Sequence, residues 1–177
     1  MEYDTLVRQI WEIGFSCTRC GTCCRGTEGD ANLVMISPDE LDCLALETGQ
    51  DAATIAEPYP DCIDTGDGGS ITFEWCIRRN GSGCTFLQDD RCTVYSVRPW
   101  ICRTYPFMLD DERLMISPCG GIGQDISPEE AGQLARLLLQ RREEEHLEDE
   151  RVRGVLSAVR IPHGKRVLID SRGVRVL

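Results

Sequence analysis

Phe15-Ser-Cys-Thr-Arg-Cys-Gly-Thr-Cys-Cys-Arg25 gathers Cys17, Cys20, Cys23 and Cys24 into one short stretch, and its reading decides how the rest of the chain is understood. Thiols at this density serve either disulfides or a soft metal. Two-residue gaps allow thiolates on one tight loop to converge on a single ion or cluster, and Cys17-x-x-Cys20-Gly-x-Cys23 has the C-x2-C-x2-C spacing of bacterial ferredoxin loops. Gly21 is suited to a turn with φ > 0 that aims backbone N–H groups at sulfur. The usual fourth ligand, four residues on and followed by proline, is absent. Cys24 stands beside Cys23 instead. Neighbouring side chains seldom point at the same place, so Cys23 and Cys24 are expected to serve different metals, or one of them is no ligand.

Composition decides between disulfide and metal. The chain has 177 residues and eleven cysteines, an odd number. Its start, Met-Glu-Tyr-Asp-Thr-Leu, is acidic and lacks the apolar run of a secretory signal, and no window approaches a membrane span. A cytoplasmic location follows as the expectation, and cytosolic thiols are kept reduced. Metal is therefore favoured over a disulfide framework. The net charge of −11 and a pI near 4.6 disfavour sequence-independent binding of nucleic acid. Basic residues nonetheless accompany the cysteines: Arg19 and Arg25 at the first cluster, Arg91, Arg98 and Arg103 later. Guanidinium groups there would offset the negative charge of thiolates around a metal.

Along the chain, Tyr3, Leu6, Ile10 and Ile13 predict a helix over 3–13 that Gly14 stops and that delivers the chain into the cysteine loop. Leu33–Ile36 reads as a buried strand. Ser37-Pro-Asp-Glu40 is a capping box opening a helix to about Thr48, ended by Gly49. Residues 51–57 add a helical turn, and 58–70 read as loop. Ile71–Arg79 reads as a strand, with Asn80-Gly81 as a hairpin turn. Cys84 to Tyr95 reads as two short strands around an acidic turn. Arg98-Pro99 starts a short helix that carries Cys102 and ends at Pro106. Residues 107–109 and 114–116 read as a hairpin. Ser127-Pro-Glu-Glu130 caps the longest helix, with Leu134, Leu137, Leu138 and Leu147 as its apolar stripe; Arg136, Arg141, Arg142 and Glu143–Glu145 form a solvated charged face. The tail from Arg166 reads as a terminal hairpin turning near Ser171–Gly173.

The fold class expected is α+β: a small cysteine-rich, metal-stapled domain of short strands and helices over 1–126, then a helical extension with a terminal hairpin over 127–177, packed on the first part. Cys84, Cys92, Cys102 and Cys119 each lie beside a turn or helix start, as a four-ligand site built from separate loops requires. Cys102 falls in a helix's first turn, where the dipole favours a thiolate.

The segment Cys84-Thr-Phe-Leu, then Arg91-Cys-Thr-Val-Tyr-Ser-Val-Arg-Pro-Trp-Ile-Cys-Arg-Thr-Tyr-Pro-Phe107, together with the front Cys-x-x-Cys-x-x-Cys-Cys, resembles the CxxCxxCC family of zinc- or iron-chelating domains. These are also called cysteine cluster proteins, and flagellin lysine N-methylase carries a related region. The resemblance covers roughly residues 15–123. It implies metal ligands at Cys17, Cys20, Cys23, Cys24, Cys84, Cys92, Cys102 and Cys119. Where the family tends to read Cys-Pro-Gly-Ile-Gly, this chain has Cys119-Gly-Gly-Ile-Gly123. Eight cysteines suit two four-thiolate sites, or one cluster plus structural thiols.

Zinc and iron–sulfur both accept four thiolates. Iron–sulfur is favoured because the front loop follows ferredoxin spacing and the second half has no Cys-x2-Cys knuckle. Cys43 and Cys76, inside a helix and a strand, read as buried packing thiols; Cys62 reads as an exposed loop thiol. His146 and His163 read as surface residues. Tyr95, Trp100, Tyr105 and Phe107 read as packing that shields the metal, and Gly120–Gly123 as a flexible turn after a ligand. Three functions compete: an iron–sulfur electron carrier or accessory protein with a protein partner; a zinc-stapled protein-interaction module; and a cluster-dependent protein-modifying enzyme such as a lysine methylase. Against the third, the sequence has no glycine-rich cofactor loop after a strand, no Ser/His/Asp set and no HExxH.

Overall fold

Helix α1 (Tyr3–Ile13) buries Leu6 and Ile10 and stops where Gly14 turns to φ +72, its N–H still reaching the Ile10 carbonyl at 3.0 Å. The computed structural model describes residues 1–25, 32–81, 83–110 and 113–177. Among them five α-helices and a set of short strands in small sheets make an α+β fold, the expected class.

After the cysteine loop, β1 (Met35–Ile36) leads to α2 (Pro38–Thr48). The Ser37 hydroxyl accepts the Glu40 N–H at 3.2 Å while the Glu40 carboxylate accepts the Ser37 N–H at 2.8 Å, a reciprocal cap. Gly49 ends α2 at φ +66. Next come α3 (Ala52–Ile55), β2 (Ala56–Pro58), β3 (Ile63–Asp64), β4 (Ser70–Thr72), β5 (Trp75–Ile77), β6 (Arg79–Asn80) and β7 (Gly83–Cys84). Then follow β8 (Leu87–Gln88), β9 (Arg91–Cys92), a 3-10 turn at Tyr95–Val97, α4 (Trp100–Thr104), β10 (Phe107–Asp110) and β11 (Arg113–Ile116). The chain ends with α5 (Pro128–Ala158), β12 (Arg166–Asp170) and β13 (Gly173–Val176).

Several expectations change here. The strand read over 71–79 is divided, because its two halves join different sheets: β4 pairs with β3 and, in parallel, with β12, while β5 pairs with β1 and β2. The span 58–70, read as loop, contains β3 and the end of β2. Cys43 is exposed, since α2 turns Pro38, Leu41 and Leu44 inward instead. Cys76 is buried in β5, as expected, and Cys62 is exposed. The middle of the 107–116 hairpin, 111–112, lies outside the described residues, and so does Ser82 of the turn after Asn80-Gly81.

The contacts divide the chain into two compact units. The first comprises Met1–Asn32 and Phe86–Glu144, the second Leu33–Thr85 and Glu145–Leu177. This differs from a boundary at 126/127, because α5 contributes to both cores. In the first unit Ala131, Ala135 and Leu138 of α5 pack with Leu6, Ile10, Phe15 and Phe107. Phe15 and Phe107 meet edge to face, centroids 5.6 Å apart. In the second, Val152 and Val155 pack against Ile71, Val167 and Ile169 of the β13-β12-β4-β3 sheet. There the buried Asp170 carboxylate accepts the Trp75 indole N–H at 3.0 Å and the Arg172 N–H at 2.9 Å.

Arg141, read as part of a solvated face, is buried in the first unit and donates to the Thr104 hydroxyl at 3.0 Å. That hydroxyl donates in turn to the Trp100 carbonyl at 3.0 Å, which ties α4 into the core. A run of charges hid one position that helical periodicity places on the same side as Leu138. No described helix is long and apolar enough to cross a membrane.

Candidate metal centre

The cysteine loop is held at both of its ends by backbone of the first unit. At its entrance, Ser16 N–H donates to the Gly121 carbonyl at 3.0 Å, Gly123 N–H to the Gly14 carbonyl at 2.9 Å, and Phe15 pairs with Ile122 as an isolated bridge. The approach is so close that a Cβ on Gly121 would lie 2.2 Å from the Ser16 carbonyl oxygen. Gly120–Gly123 is therefore not a loose turn: at Gly121 a side chain is excluded because the Ser16 backbone occupies the space. This apposition places Cys119 against the Phe15 core, half-buried, with the Gly121 N–H donating to its sulfur at 3.4 Å.

Further along, Gly21 adopts the positive φ expected of it, at +71°. A Cβ there would lie 2.6 Å from the Asp90 carbonyl oxygen, so only glycine lets the loop rest on the β8–β9 turn. Asp89 and Asp90 are that turn's acidic residues, both at positive φ (46° and 64°), as a two-residue hairpin with right-handed strand twist requires. Arg25 pairs with Asp90 across the same junction. Cys92, on β9, is thereby carried to the front loop.

Beyond β9 the guanidinium groups of Arg19 and Arg98 lie over the Tyr95 ring, 4.4 and 3.6 Å from its centroid. Arg98 also donates to the Tyr95 carbonyl at 3.0 Å and to the Cys102 carbonyl at 3.4 Å. Cys102 occupies the first turn of α4, its N–H bonded to the Pro99 carbonyl at 2.9 Å. Phe107 is the fully buried member of the expected aromatic set; Tyr95, Trp100 and Tyr105 are half-buried and engage arginine or backbone instead, Arg103 lying over Trp100 and the Tyr105 hydroxyl donating to the Pro118 carbonyl.

Inside the loop, a 3-10 turn spans Thr22–Cys24. The Asn32 side-chain amide donates to the carbonyls of Cys23 at 3.0 Å and Arg25 at 3.1 Å. Cys20 is lowered to about 7, chiefly by the hydrogen bond with the Thr22 hydroxyl, with the Thr22 N–H and the Thr18 hydroxyl adding to it. Cys23 is pushed far up, first by its hydrogen bond with Cys24, then by burial and the charges of Cys24 and Cys20. Burial raises Cys92, partly offset by the Val94 N–H and Arg98, while the charge of Cys23 raises it further. Cys23 thus lies within electrostatic reach of Cys20, Cys24 and Cys92. Cys23 and Cys24 both lie in that 3-10 turn.

Among the described residues no three His, Cys, Asp or Glu side chains stand in a ready metal-holding group. The Cys20 thiol donates instead to the Thr22 hydroxyl. The donor set nevertheless suits a soft cation: the charges of Cys20 and Cys24 oppose ionisation of Cys23, that of Cys23 opposes ionisation of Cys92, and a cation there would remove that repulsion. Cys17, Cys102 and Cys119 belong to the same unit. Cys84 belongs to the second, in β7 opposite Arg79. His146 and His163 are exposed and lie 3.5 and 3.6 Å from the carboxylates of Glu150 and Asp67. Sequence reasoning passed over Thr18, Thr22 and Asn32. The threonines at the x positions of the two Cys-x-x-Cys steps were the available signal.

No curated protein and no solved structure matches this chain. A family model, CxxCxxCC, described as "Putative zinc- or iron-chelating domain", matches residues 16–120, a span that contains all eight cysteines singled out above. That span is more than half of the chain, which therefore belongs to the CxxCxxCC family of metal-chelating cysteine-cluster domains.

Proposed function

We propose that the chain is an iron–sulfur protein that carries electrons for, or accompanies, a protein partner in the cytoplasm. The observation that carries this reading is the seating of the β8–β9 hairpin, which bears Cys92, on the loop of Cys20, Cys23 and Cys24 through Gly21 and the Arg25–Asp90 pair. These four are the foremost ligands proposed. Cys17, Cys102 and Cys119 are the further donors of that unit, and Cys84 stands as a candidate from the sequence alone.

The surroundings support an anionic centre. Arg25 and Arg98 lie against the loop and α4 backbone, Arg19 sits between Cys17 and Cys20, and the Gly121 N–H meets the Cys119 sulfur. Such charges and N–H···S bonds stabilise thiolates and tune a cluster's potential. A bound cluster would supply one-electron chemistry. The exposure of Cys17 and Cys20 supports exchange with a partner rather than reaction in a closed pocket.

Purification without oxygen, followed by absorption spectroscopy and iron, sulfide and zinc analysis, tests the reading. Broad visible absorption with iron and sulfide in stoichiometric amounts is expected. A colourless protein with stoichiometric zinc would contradict it in favour of a zinc-stapled interaction module.

A further inference from the structure

Three polar groups gather about one sulfur of the cysteine loop. The Cys20 thiol donates to the Thr22 hydroxyl at 3.2 Å, and once ionised its sulfur accepts from that hydroxyl instead; the Thr22 N–H and the Thr18 hydroxyl further favour the thiolate. The backbone on either side of Cys20 explains the convergence. Gly21, at φ +71, reverses the chain directly after Cys20 and turns the next N–H back toward the side chain. Arg19, at φ +54, bends the chain directly before it, between Thr18 and Cys20. A left-handed conformation is uncommon for arginine, and this one is accompanied by the guanidinium's contact with Tyr95 at 4.4 Å. Thr18 and Thr22 are both exposed and belong to neither core. Packing does not account for two threonines there; their hydroxyls do.

Resting on the iron–sulfur reading, we infer that Thr18 and Thr22 are positioning residues of the metal centre, holding Cys20 Sγ in one orientation and withdrawing charge from it. Donors to a cysteinyl sulfur favour the more electron-rich state of the metal they surround, so the pair raises the reduction potential. By fixing the Cys20 rotamer they also slow loss of the metal. Their effect falls on one ligand, whereas the arginines around the loop act on the whole centre through charge.

The test uses the full chain with Thr22→Val and Thr18→Val, which keep the branched shape, and Thr22→Ser, which keeps the hydroxyl. Each is examined with iron–sulfur loaded, for midpoint potential, and metal-free with Co²⁺ added, for affinity and sulfur-to-cobalt charge-transfer absorption. Thr22→Val should weaken Co²⁺ binding about 10- to 100-fold, in line with losses of outer-shell partners elsewhere, and give a more negative midpoint potential. Thr18→Val should shift both in the same direction by less. Thr22→Ser should behave as wild type, and the metal-free thermal stability of all three, measured well below pH 7 where Cys20 is protonated, should match wild type. Wild-type affinity and potential in Thr22→Val, or a Thr22→Ser as impaired as the valine variant, would overturn the inference. A wild-type chain that takes no iron and sulfide but binds Co²⁺ through thiolates would instead overturn the iron–sulfur reading, and the cobalt affinities alone would then decide the role of the threonines.

Discussion

Cys20 and Cys23, three residues apart, are driven in opposite directions by what touches them. Hydroxyl and N–H donors favour the thiolate at Cys20, whereas burial and neighbouring thiols favour the protonated form at Cys23. In the metal-free protein Cys20 should therefore alkylate with a midpoint near pH 7, while Cys23 and Cys92 react only at higher pH. Iodoacetamide labelling followed by mass spectrometry across pH 6–9 checks the order; Cys23 reacting first would contradict it. The sign for stability follows: the contribution of Cys20 is complete above the ordinary thiol value of 9.0 and is lost as pH falls through about 7. A second residue-level prediction concerns Arg141. Replacing it with Met removes the donor to Thr104 within a buried environment and should cost about 1–3 kcal/mol in urea unfolding. An unchanged midpoint would mean that the Arg141–Thr104 bond contributes nothing net. Neither result was legible in the sequence, where Arg141 stands among charges and Thr22 between two cysteines that drew the attention.

At the scale of elements, the parts written in local chemistry were legible. Both capping boxes form as read from Ser37-Pro-Asp-Glu40 and Ser127-Pro-Glu-Glu130, Gly14 and Gly49 stop their helices, and the terminal strands pair as a hairpin. Removing the Ser37 hydroxyl with Ser37→Ala should cost about 1 kcal/mol. What was not legible depends on partners far away in sequence. The parallel pairing of β4 with β12 joins Ser70–Thr72 to Arg166–Leu168, and it is this pairing that divides the strand read over 71–79. The role of Gly121 is of the same kind, since its constraint comes from Ser16. Gly121→Ala should displace the 119–123 segment from the cysteine loop, lower stability by about 1–3 kcal/mol and reduce metal retention. Gly120→Ala, which meets nothing within 4 Å, should change neither. Chelator-driven metal loss and thermal unfolding measured on the pair would separate the two glycines, and equal behaviour would show that the apposition does not support the site.

At the scale of the molecule, the chain distributes its cysteines unequally. One unit holds seven of the eight candidate ligands, four of them on a loop braced by the 119–123 segment and by the β8–β9 turn, while Cys43, Cys62 and Cys76 fall in the other unit with Cys84. Metal bound to the first unit would stabilise the folded chain by mass action, so chelation should lower the unfolding temperature. Cys20→Ser should lose metal and soluble expression, whereas Cys43→Ser, at an exposed position of α2, should do little. The most direct test of the whole account is X-ray absorption at the metal edge of anaerobically purified protein, wild type beside Cys92→Ser. An iron first shell composed of sulfur, disrupted when a ligand from the distant hairpin is removed, is the predicted result. A shell of nitrogen and oxygen, or a sulfur shell untouched by Cys92→Ser, would contradict it.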